Sequence, residues 1–293
     1  MNRDGMAENY ASGVKPVFCP GCGNFGVYAA LTKAFTELKL DKDNTLIITG
    51  IGCSSTIVQN FSCYGMHSLH GRILPVAMGA KLANGRLTVV GVGGDGDGYG
   101  IGSAHLIHSA RRNIDITYIV TNNETYGLTT GQASPTGMMG YKTKSTPFGV
   151  IESPLSPLAV AISAGATYVA RGFAGDPAHL AGLIKNGITH KGFSIIDIYT
   201  PCVTFNYLNT FDWFRSRIYK LEGTKHDPSD RGAALERAFE DEESNYEKLP
   251  IGLFYETQKP TYDELDVTLK NGPLIEQPMP SKGQVLDILE ENR

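Results

Sequence analysis

The sequence predicts an α/β protein with a doubly wound, mostly parallel sheet and a C-terminal extension that is helical or irregular. Three observations lead to this prediction. Short apolar runs of strand length alternate with longer helical patterns, as in βαβ units. Polar or glycine-rich stretches follow several of these runs, as they do at the carboxyl ends of parallel strands. After Val203 the composition shifts towards aromatic and charged residues, so we expect a domain over residues 1–203 and an extension over residues 204–293.

The elements follow in order along the chain. A first helix is indicated where Val27, Leu31, Ala34, Phe35 and Leu38 fall on one helical face. Strands are predicted at residues 45–49, 87–92, 116–120, 167–170 and 194–199. Further helices are predicted at residues 101–112, 157–165, 176–190 and 231–246. The stretch from residue 87 to residue 120 therefore forms one βαβ unit.

Four of the five cysteines stand beside Gly or Pro, where the backbone can approach a metal centre closely. Cys19 and Cys22 lie in a Cys-Pro-Gly-Cys-Gly turn, Cys53 follows a glycine and Cys202 follows a proline. Four such thiolates suit an iron–sulfur cluster. Tetrahedral zinc uses the same ligands, although structural zinc sites usually gather two short cysteine pairs, and plain buried thiols are a third interpretation. Cys63 has no such setting and is predicted to be a small buried hydrophobic residue.

A glycine-rich loop, Gly93-Gly94-Asp95-Gly96-Asp97-Gly98, follows the second predicted strand, and Asn122-Asn123 ends the third. Because the carboxyl ends of neighbouring parallel strands meet at one edge, we expect Asp95 and Asn123 to face each other across a crevice. Carboxylate, amide and carbonyl oxygens suit Mg²⁺. Glycines and the start of a following helix let backbone N–H groups reach a diphosphate. The loop therefore predicts a magnesium–diphosphate site.

Three other interpretations of the same loop remain open. Gly91, Gly93 and Gly96 match the dinucleotide fingerprint. That fingerprint needs an acidic residue at the end of the second strand of the βαβ unit, which here is strand 116–120 and ends in asparagines. The run from Asp95 also suggests a calcium loop, yet Tyr99 and Leu106 stand where oxygen ligands are required. A purely structural glycine turn is the third interpretation.

The motifs in combination resemble the beta subunits of the 2-oxoacid:ferredoxin oxidoreductases. Gly94-Asp95-Gly96, with Asn123 placed 28 positions after Asp95, resembles the thiamine diphosphate motif. The other motifs that carry the resemblance are Cys-Pro-Gly-Cys-Gly, Gly-Ile-Gly-Cys-Ser at 50–54, His70-Gly71-Arg72, Tyr126-Gly127-Leu128-Thr129, the segment 131–136, Thr200-Pro201-Cys202 and the segment 226–229. The resemblance spans nearly the whole chain and implies the sheet of a thiamine diphosphate-binding domain.

The resemblance also implies a set of site residues. It assigns a 4Fe–4S cluster to Cys19, Cys22, Cys53 and Cys202, and Mg²⁺ to Asp95, Asn123 and the backbone oxygen of Thr125. The implied contacts to thiamine diphosphate are Ile51, Gly52, Cys53, Ser54, His70, Gly71, Arg72, Ile73, Gly94, Gly96, Asp97, Tyr126, Gly127 and Leu128. The residues expected to act on the substrate are His70, Arg72 and Thr130.

The implied activity is oxidative decarboxylation of a 2-oxoacid with coenzyme A, giving an acyl-CoA and CO₂, with electrons passing through the cluster to ferredoxin. In this family the alpha subunit supplies the glutamate that activates the cofactor, so we expect the chain alone to be incomplete. Two alternatives stay open: a non-redox thiamine diphosphate decarboxylase or synthase with structural zinc, and an iron–sulfur electron-transfer subunit without catalysis.

The resemblance places two neutral residues, Thr56 and Thr130, near the side chain of the substrate. A lysine there could pair with the distal carboxylate of 2-oxoglutarate, whereas desolvating a carboxylate without a cation costs on the order of several kcal/mol. We therefore expect pyruvate and 2-oxobutyrate to be preferred.

Composition agrees with an intracellular enzyme. The 293 residues are enough for a large core, and the net charge of −4 with a pI near 6.0 gives no reason to expect nucleic acid. No apolar stretch approaches a membrane span, and residues 1–4 begin no signal peptide. Clustered reduced thiols indicate the cytoplasm. The acidic helix at 231–246 is interpreted as a solvated face or a subunit interface, and it would repel an acidic ferredoxin.

Overall fold

The computed structural model describes residues 10–291. The prediction that no signal peptide begins at residues 1–4 lies outside these residues. Ten strands are present in the described part of the chain: β1 (Thr45–Thr49), β2 (Tyr64–His67), β3 (Thr88–Gly94), β4 (Ile116–Asn122), β5 (Thr125–Tyr126), β6 (Gln132–Ala133), β7 (Tyr168–Phe173), β8 (Phe193–Tyr199), β9 (Ile218–Lys220) and β10 (Leu249–Glu256).

Eight of these strands form one sheet in the order β2-β1-β3-β4-β8-β7-β10-β9. All neighbouring pairs are parallel except β7 with β10, which is antiparallel. Strands β3, β4, β7 and β8 are buried almost throughout, as central parallel strands covered on both faces should be. The predicted class, a mostly parallel α/β sheet, is confirmed.

Helices cover both faces of the sheet. The α-helices are α1 (Asn24–Leu38), α2 (Ile73–Ala83), α3 (Ser103–Arg112), α4 (Pro157–Ala164), α5 (Pro177–Thr189), α6 (Phe211–Arg215), α7 (Arg231–Glu243), α8 (Tyr262–Leu265) and α9 (Lys282–Glu291). One core contains apolar residues of α2, α3, α4 and α7, and the other contains those of α1 and α5. The sheet is therefore wound on both sides.

The C-terminal region differs from the expected helical and irregular extension, because β9 and β10 join the main sheet. The sequence signal for β10 is weak, since Pro250 and Gly252 interrupt its apolar run and both residues disfavour strand interiors. Gly252 adopts a φ of 122°, and the pairing with β7 shifts between Leu253 and Tyr255. Burial of this strand against the helices of one face outweighs its weak local preference.

Two elements near the amino terminus were not predicted. Strand β2 is exposed along its whole length at the sheet edge, so it shows no alternation of apolar and polar residues. Helix α2 follows His70-Gly71-Arg72 directly, where the sequence predicts no element. Its apolar residues are spread around the helix, which leaves no clear periodic stripe.

The acidic helix is shorter than predicted and only partly solvated. It ends at Glu243 because Asn245 and Tyr246 adopt left-handed conformations, with φ of 50° and 61°. Glu242 and Glu243 are exposed, as expected. Asp241 instead turns inwards and accepts a hydrogen bond from the buried Arg171 at 3.0 Å, so the solvated-face interpretation is wrong for this residue.

Among the helices of residues 10–291, none combines the length and the apolar composition that a membrane span requires.

Candidate functional site

Four neighbouring strands deliver the candidate site residues to one edge of the sheet. Strands β1, β3, β4 and β8 are adjacent and parallel, so their carboxyl ends lie side by side. Gly94 pairs with Thr121, and Asn122 pairs with Tyr199. The segments that begin at Gly50, Asp95, Asn123 and Thr200 therefore leave the sheet at the same edge.

One cavity at this edge has a volume of about 180 Å³, and we call it the oxygen-lined cavity. Its wall is formed by Ile51, Gly52, Cys53, Ser54, His70, Gly94, Asp95, Gly96, Asp97, Asn123, Thr125, Tyr126, Gly127, Leu128 and Thr129. All three residues expected to bind Mg²⁺ are among them. Asp95 and Asn123, which the sequence expects to face each other, line the same cavity.

Asp95 is held in place by two hydroxyl groups. It is 2% exposed, and its Oδ2 accepts a hydrogen bond from Ser134 at 2.5 Å. The Thr136 hydroxyl lies 2.8 Å from the same oxygen and 2.8 Å from Asn122 Oδ1, so one proton serves two acceptors. Burial raises the pKa of Asp95 to about 6, although the two hydroxyl groups favour the ionised form. A bound cation would stabilise this buried carboxylate.

The segment after β4 turns sharply at Glu124. This residue has a φ of 59°, in the left-handed region that a side chain rarely adopts, and is 6% exposed. The turn brings both neighbours, Asn123 and Thr125, to the oxygen-lined cavity. The backbone N–H of Thr125 donates to Asn123 Oδ1 at 3.1 Å, and Asn206 donates to the Asn123 carbonyl at 3.2 Å. The asparagine is thereby fixed from two sides.

Asp97 joins two loops rather than lying freely in the cavity. Its Oδ1 accepts hydrogen bonds from the backbone N–H of Ile51 at 3.1 Å and of Gly71 at 2.8 Å. A Cβ atom at Gly50 would lie 2.2 Å from the Asp97 carboxylate, so only glycine allows this approach. The loop after β1 and the loop before α2 are therefore connected to Asp97 at the start of Gly96–Ile101. This segment forms a π-helical turn, whereas the sequence predicts a loop up to Gly98.

His70 lies beside the same carboxylate and lines the cavity. Its Nδ1 is 2.7 Å from Asp97 Oδ1, and its ring is 6.3 Å from that of Tyr126. An acceptor at Nδ1 favours the proton on that nitrogen, so Nε2 is the ring atom available to a bound molecule. A Cβ atom at Gly96 would strike the Tyr126 ring at 2.1 Å, which explains the glycine there.

Some expected contacts do not line the oxygen-lined cavity. Gly71 donates to Asp97, Arg72 precedes α2, and Ile73 is 1% exposed and packs into the core beneath β3. Thr130 lies in a separate open groove. Thr56, expected near the substrate, lines the second cavity instead.

The second cavity, of about 120 Å³, contains the four predicted cysteines, and we call it the cysteine cavity. Its wall is formed by Val17, Phe18, Cys19, Cys22, Asn24, Cys53, Thr56, Asn123, Gly127, Leu128, Cys202, Val203, Thr204 and Phe205. Cys63 lies elsewhere, where it packs against the core under α1 and is partly buried. Burial raises its pKa to about 11.

Two glycines lie where the cysteine segments come together. The N–H of Gly23 donates to the Pro201 carbonyl at 3.1 Å, and a Cβ atom on Gly23 would lie 2.7 Å from the Thr200 side chain. A Cβ atom on Gly127 would lie 3.5 Å from Cys53 Sγ and 3.8 Å from Cys202 Sγ. Gly23 therefore allows the close approach of two cysteine segments, and Gly127 lies within van der Waals distance of two thiols.

For two thiols in this cavity, Cys22 and Cys53, the pKa is raised, so ionisation is disfavoured without a counter-charge. Burial raises the pKa of Cys22 to about 11, and the other three cysteines raise it further. Burial and the neighbouring thiols also raise the pKa of Cys53. Such thiols become thiolates when a metal centre binds them. Within residues 10–291, however, no three His, Cys, Asp or Glu side chains converge closely enough to bind a single metal ion.

The two cavities share a wall, which consists of Cys53, Asn123, Gly127 and Leu128. The sequence interpretation did not include this adjacency. It also gave no role to Ser134, Thr136 and Asn206, which fix Asp95 and Asn123. The segment 131–136 is one of the motifs of the sequence. No spacing rule, however, connects the hydroxyl groups of Ser134 and Thr136 with the Asp95 carboxylate about 40 residues earlier.

Comparison with known proteins identifies the fold and the family. Residues 50–198 match the family described as thiamine pyrophosphate enzyme, C-terminal TPP binding domain, and residues 202–271 match the family of C-terminal regions of the pyruvate ferredoxin oxidoreductase beta subunit. A solved 2-oxoglutarate:ferredoxin oxidoreductase from Magnetococcus marinus, with 2-oxoglutarate, coenzyme A and succinyl-CoA bound, superposes with a TM-score of 0.89. It is 39% identical, over 98% of this chain and 96% of the other.

Curated relatives agree. The chain is 43% identical to the 2-oxoacid:ferredoxin oxidoreductase 1, subunit beta, of Aeropyrum pernix, over 87% of this chain and 83% of the relative. It is 45% identical to the 2-oxoacid:ferredoxin oxidoreductase subunit beta of Saccharolobus solfataricus, over 82% of each. It is 40% identical to the 2-oxoglutarate synthase subunit KorB of Methanothermobacter marburgensis, over 83% and 84%.

The chain therefore belongs to the beta subunits of the 2-oxoacid:ferredoxin oxidoreductases, as the sequence motifs predicted. It is a subunit of an oxidoreductase that works with an alpha subunit, and it contains a thiamine diphosphate-binding domain. This match favours the thiamine diphosphate interpretation of the glycine-rich segment over the dinucleotide and calcium interpretations.

Proposed function

We propose that this beta subunit binds thiamine diphosphate with Mg²⁺ in the oxygen-lined cavity and a 4Fe–4S cluster in the cysteine cavity. Together with its alpha subunit it would convert a 2-oxoacid and coenzyme A to an acyl-CoA and CO₂, and reduce ferredoxin. The observation that carries this proposal is the wall of Cys53, Asn123, Gly127 and Leu128, which separates the two cavities by a single layer of residues. A cofactor and an electron carrier would be neighbours across it.

The donor set of the oxygen-lined cavity fits magnesium. Asp95 and Asn123 offer a carboxylate and an amide oxygen, Thr125 offers its carbonyl, and a diphosphate and water would complete an octahedral shell. The hydroxyl groups of Ser134 and Thr136 favour the charged form of Asp95 that a cation needs. Gly94 and Gly96 leave the backbone open towards the diphosphate.

The cysteine cavity fits a cluster better than zinc. All four thiols line one cavity, yet within the described residues no three metal-binding side chains converge on one point. A zinc ion needs four sulfurs about 2.3 Å from a single centre, whereas a cubic cluster separates its ligands around a larger body. The spread of the thiols therefore supports the cluster over the structural-zinc alternative.

Thiamine diphosphate, when bound, supplies an electron sink for decarboxylation. The contribution of this chain is positional. Asp97 fixes the tautomer and orientation of His70, so that Nε2 can hold or release a proton at the cavity. Arg72 would act on the substrate from its position before α2, and Thr130 would act from the adjoining groove. The buried Asp95 and Asn123 anchor the cofactor, and the alpha subunit would supply the activating glutamate.

We further propose that the enzyme prefers pyruvate and 2-oxobutyrate. Among the described residues that line the oxygen-lined cavity there is no Lys or Arg, so a distal carboxylate would meet only His70 as a potential cation. Several relatives named for 2-oxoglutarate are 39–40% identical to this chain. If the diacid is used, its counter-charge would come from the alpha subunit or from Lys142 and Lys144, which line the groove that contains Thr130.

The division into residues 1–203 and 204–293 is supported by the two family matches, which meet between residues 198 and 202. Because β9 and β10 continue the sheet, we propose that the C-terminal part is packed as part of the same domain and also contacts other subunits. All five cysteines are free thiols, which supports a reducing compartment such as the cytoplasm.

The test is analysis of the purified heteromer of alpha and beta subunits. We expect one thiamine diphosphate, one Mg²⁺ and four iron with four acid-labile sulfide per beta chain, and CoA-dependent reduction of ferredoxin by a 2-oxoacid. Zinc in place of iron and sulfide would favour the non-redox alternative. Iron without thiamine diphosphate would favour the electron-transfer alternative. Comparing kcat/KM for pyruvate, 2-oxobutyrate and 2-oxoglutarate tests the substrate proposal separately.

A further inference from the structure

We propose that the surface around the cysteine cavity is the docking site for the acidic ferredoxin. This surface, which we call the lysine rim, consists of Lys15, Lys142 and Lys144 with the exposed apolar residues Val17, Leu128, Val203 and Tyr207. The inference rests on the proposed function, since it assumes that the four cysteines hold the cluster from which ferredoxin takes its electrons.

The charge of the chain is unevenly distributed. Residues 1–203 contain 15 Lys and Arg against 12 Asp and Glu, whereas residues 204–293 contain 11 against 18. Four segments line the cysteine cavity, and their exposed charges are positive: segment 10–23 has Lys15, the loop 125–151 after the buried Glu124 has Lys142 and Lys144, and segments 53–56 and 200–211 have no charged residue. A protein with a net charge of −4 therefore has a locally positive surface beside its cysteines.

The lysines of the rim are free to meet a partner. Lys142 and Lys144 are exposed and line an open groove together with Tyr141, Phe205 and Tyr207. Within residues 10–291 neither lysine has an ion-pair partner. The nearest acidic residue after the segment 200–211 is Asp212, which already pairs with Arg215 at 3.1 Å.

The hairpin that presents the two lysines is attached to the wall of the cysteine cavity. Tyr141 donates its hydroxyl proton to the Phe205 carbonyl at 2.6 Å, and Phe205 lines both the groove and the cysteine cavity. The segment with the two lysines is thus attached by a hydrogen bond to a residue that lines the cysteine cavity. A negative partner drawn to them would arrive over the cluster site.

The apolar part of the rim surrounds the same opening. Val17 is 68% exposed, Tyr207 is 78% exposed, and Leu128 and Val203 are exposed in part. Cys19 is the most accessible of the cysteines in this cavity. An exposed apolar patch with a charged border is typical of a protein-binding surface, and small transient interfaces are typical of electron-transfer partners. Because electron transfer requires close approach, the partner has to dock at the open side of the cluster.

The charge of the acidic C-terminal part, residues 204–293, has the opposite sign. Glu242 and Glu243 are exposed on α7, where they would repel an acidic partner. Association through the rim should therefore depend strongly on ionic strength, because the attraction between exposed charges is screened by salt.

The experiment compares two double variants of the reconstituted heteromer. Lys142→Glu with Lys144→Glu reverses the charge of the lysine rim at these two positions. Lys225→Glu with Lys259→Glu is the matched control. Both lysines are exposed near the end of β10. Strand β10 ends beside the start of β7, so these lysines lie at the opposite edge of the sheet from the cysteine cavity. Binding of an acidic ferredoxin is measured by calorimetry at several salt concentrations, and enzyme turnover is measured with ferredoxin and with methyl viologen, a small dye that needs no docking site.

We expect the rim variant to bind ferredoxin about tenfold more weakly at low salt, with a flatter salt dependence, while the control binds like the wild type. Turnover with methyl viologen and retention of the alpha subunit should not fall. Unchanged ferredoxin affinity would overturn the proposal. Loss of the alpha subunit would assign the rim to the subunit interface, and a higher KM for coenzyme A would assign it to that substrate. A wild-type enzyme that reduces neither acceptor would refute the proposed function instead.

Discussion

The oxygen-lined cavity and the cysteine cavity share a wall but are built in different ways. Asp95 and Asn123 belong to one βαβ unit, so short-range sequence nearly suffices to bring them together. The cysteines come from three segments that span residues 19–202, and Gly23 allows the close approach of the first segment to the last. Adjacent sites can therefore differ in how their residues are brought together and yet depend on one common wall.

The largest effect is expected from Gly127→Val, which alters the wall common to both cavities. The Cβ position already lies 3.5 Å from Cys53 Sγ and 3.8 Å from Cys202 Sγ, so the two extra methyl groups would overlap the thiols. We expect loss of iron and of thiamine diphosphate together. Both are measured on the purified heteromer.

Gly182→Val is the matched control, because Gly182 lies on α5 with open space around its Cβ position. It should retain both cofactors. If Gly127→Val loses only one of them, the two cavities are more independent than their common wall implies.

The next effect is expected from Cys202→Ala, which removes a thiol that lines the cysteine cavity but not the oxygen-lined cavity. Iron and acid-labile sulfide should fall to a small fraction of the wild-type content, because a cluster ligand is lost. Thiamine diphosphate content should remain. Cys63→Ala, a control outside both cavities, should keep its iron. Full iron content in Cys202→Ala would exclude this cysteine as a ligand.

Asp95→Ala should give the reverse pattern. We expect Mg²⁺ and thiamine diphosphate to bind at least about 100-fold more weakly by calorimetry, since even partners of metal ligands typically contribute about 10- to 100-fold to affinity. Iron content should be unchanged. Asp212→Ala is the control, because the Asp212 side chain is 93% exposed and its ion-pair partner is the exposed Arg215. Parallel loss of iron would show that the cysteine cavity depends on the cofactor.

The smallest effect is expected from Thr136→Val, which keeps the side-chain shape but removes a hydroxyl group 2.8 Å from Asp95 Oδ2. The carboxylate keeps its bond from Ser134, so Mg²⁺ affinity should fall by about tenfold. Titration with Mg²⁺ at saturating thiamine diphosphate measures this. Thr36→Val, which removes a hydroxyl group on α1, should have no effect on Mg²⁺ affinity. An equal loss in both variants would indicate general destabilisation.

Local sequence was enough to predict the class of fold and the family, and to single out the candidate ligands. Buried apolar runs such as 116–120 need parallel neighbours on both sides, and Asp95, Asn123 and the four cysteines are recognisable by residue type and by the glycines or prolines near them. These features could be predicted because a strand end or a tight turn is encoded within a few residues.

Which residues became neighbours depended on the packing of the whole chain. Packing placed Ser134 and Thr136 on Asp95, tied Asp97 to His70 and to two backbone N–H groups, and moved Thr56 and Thr130 away from the oxygen-lined cavity. It also drew β9 and β10 into the sheet, although Pro250 and Gly252 obscure that strand. These outcomes join segments far apart in the chain, where burial and hydrogen bonding outweigh the weak preferences of any short stretch of sequence.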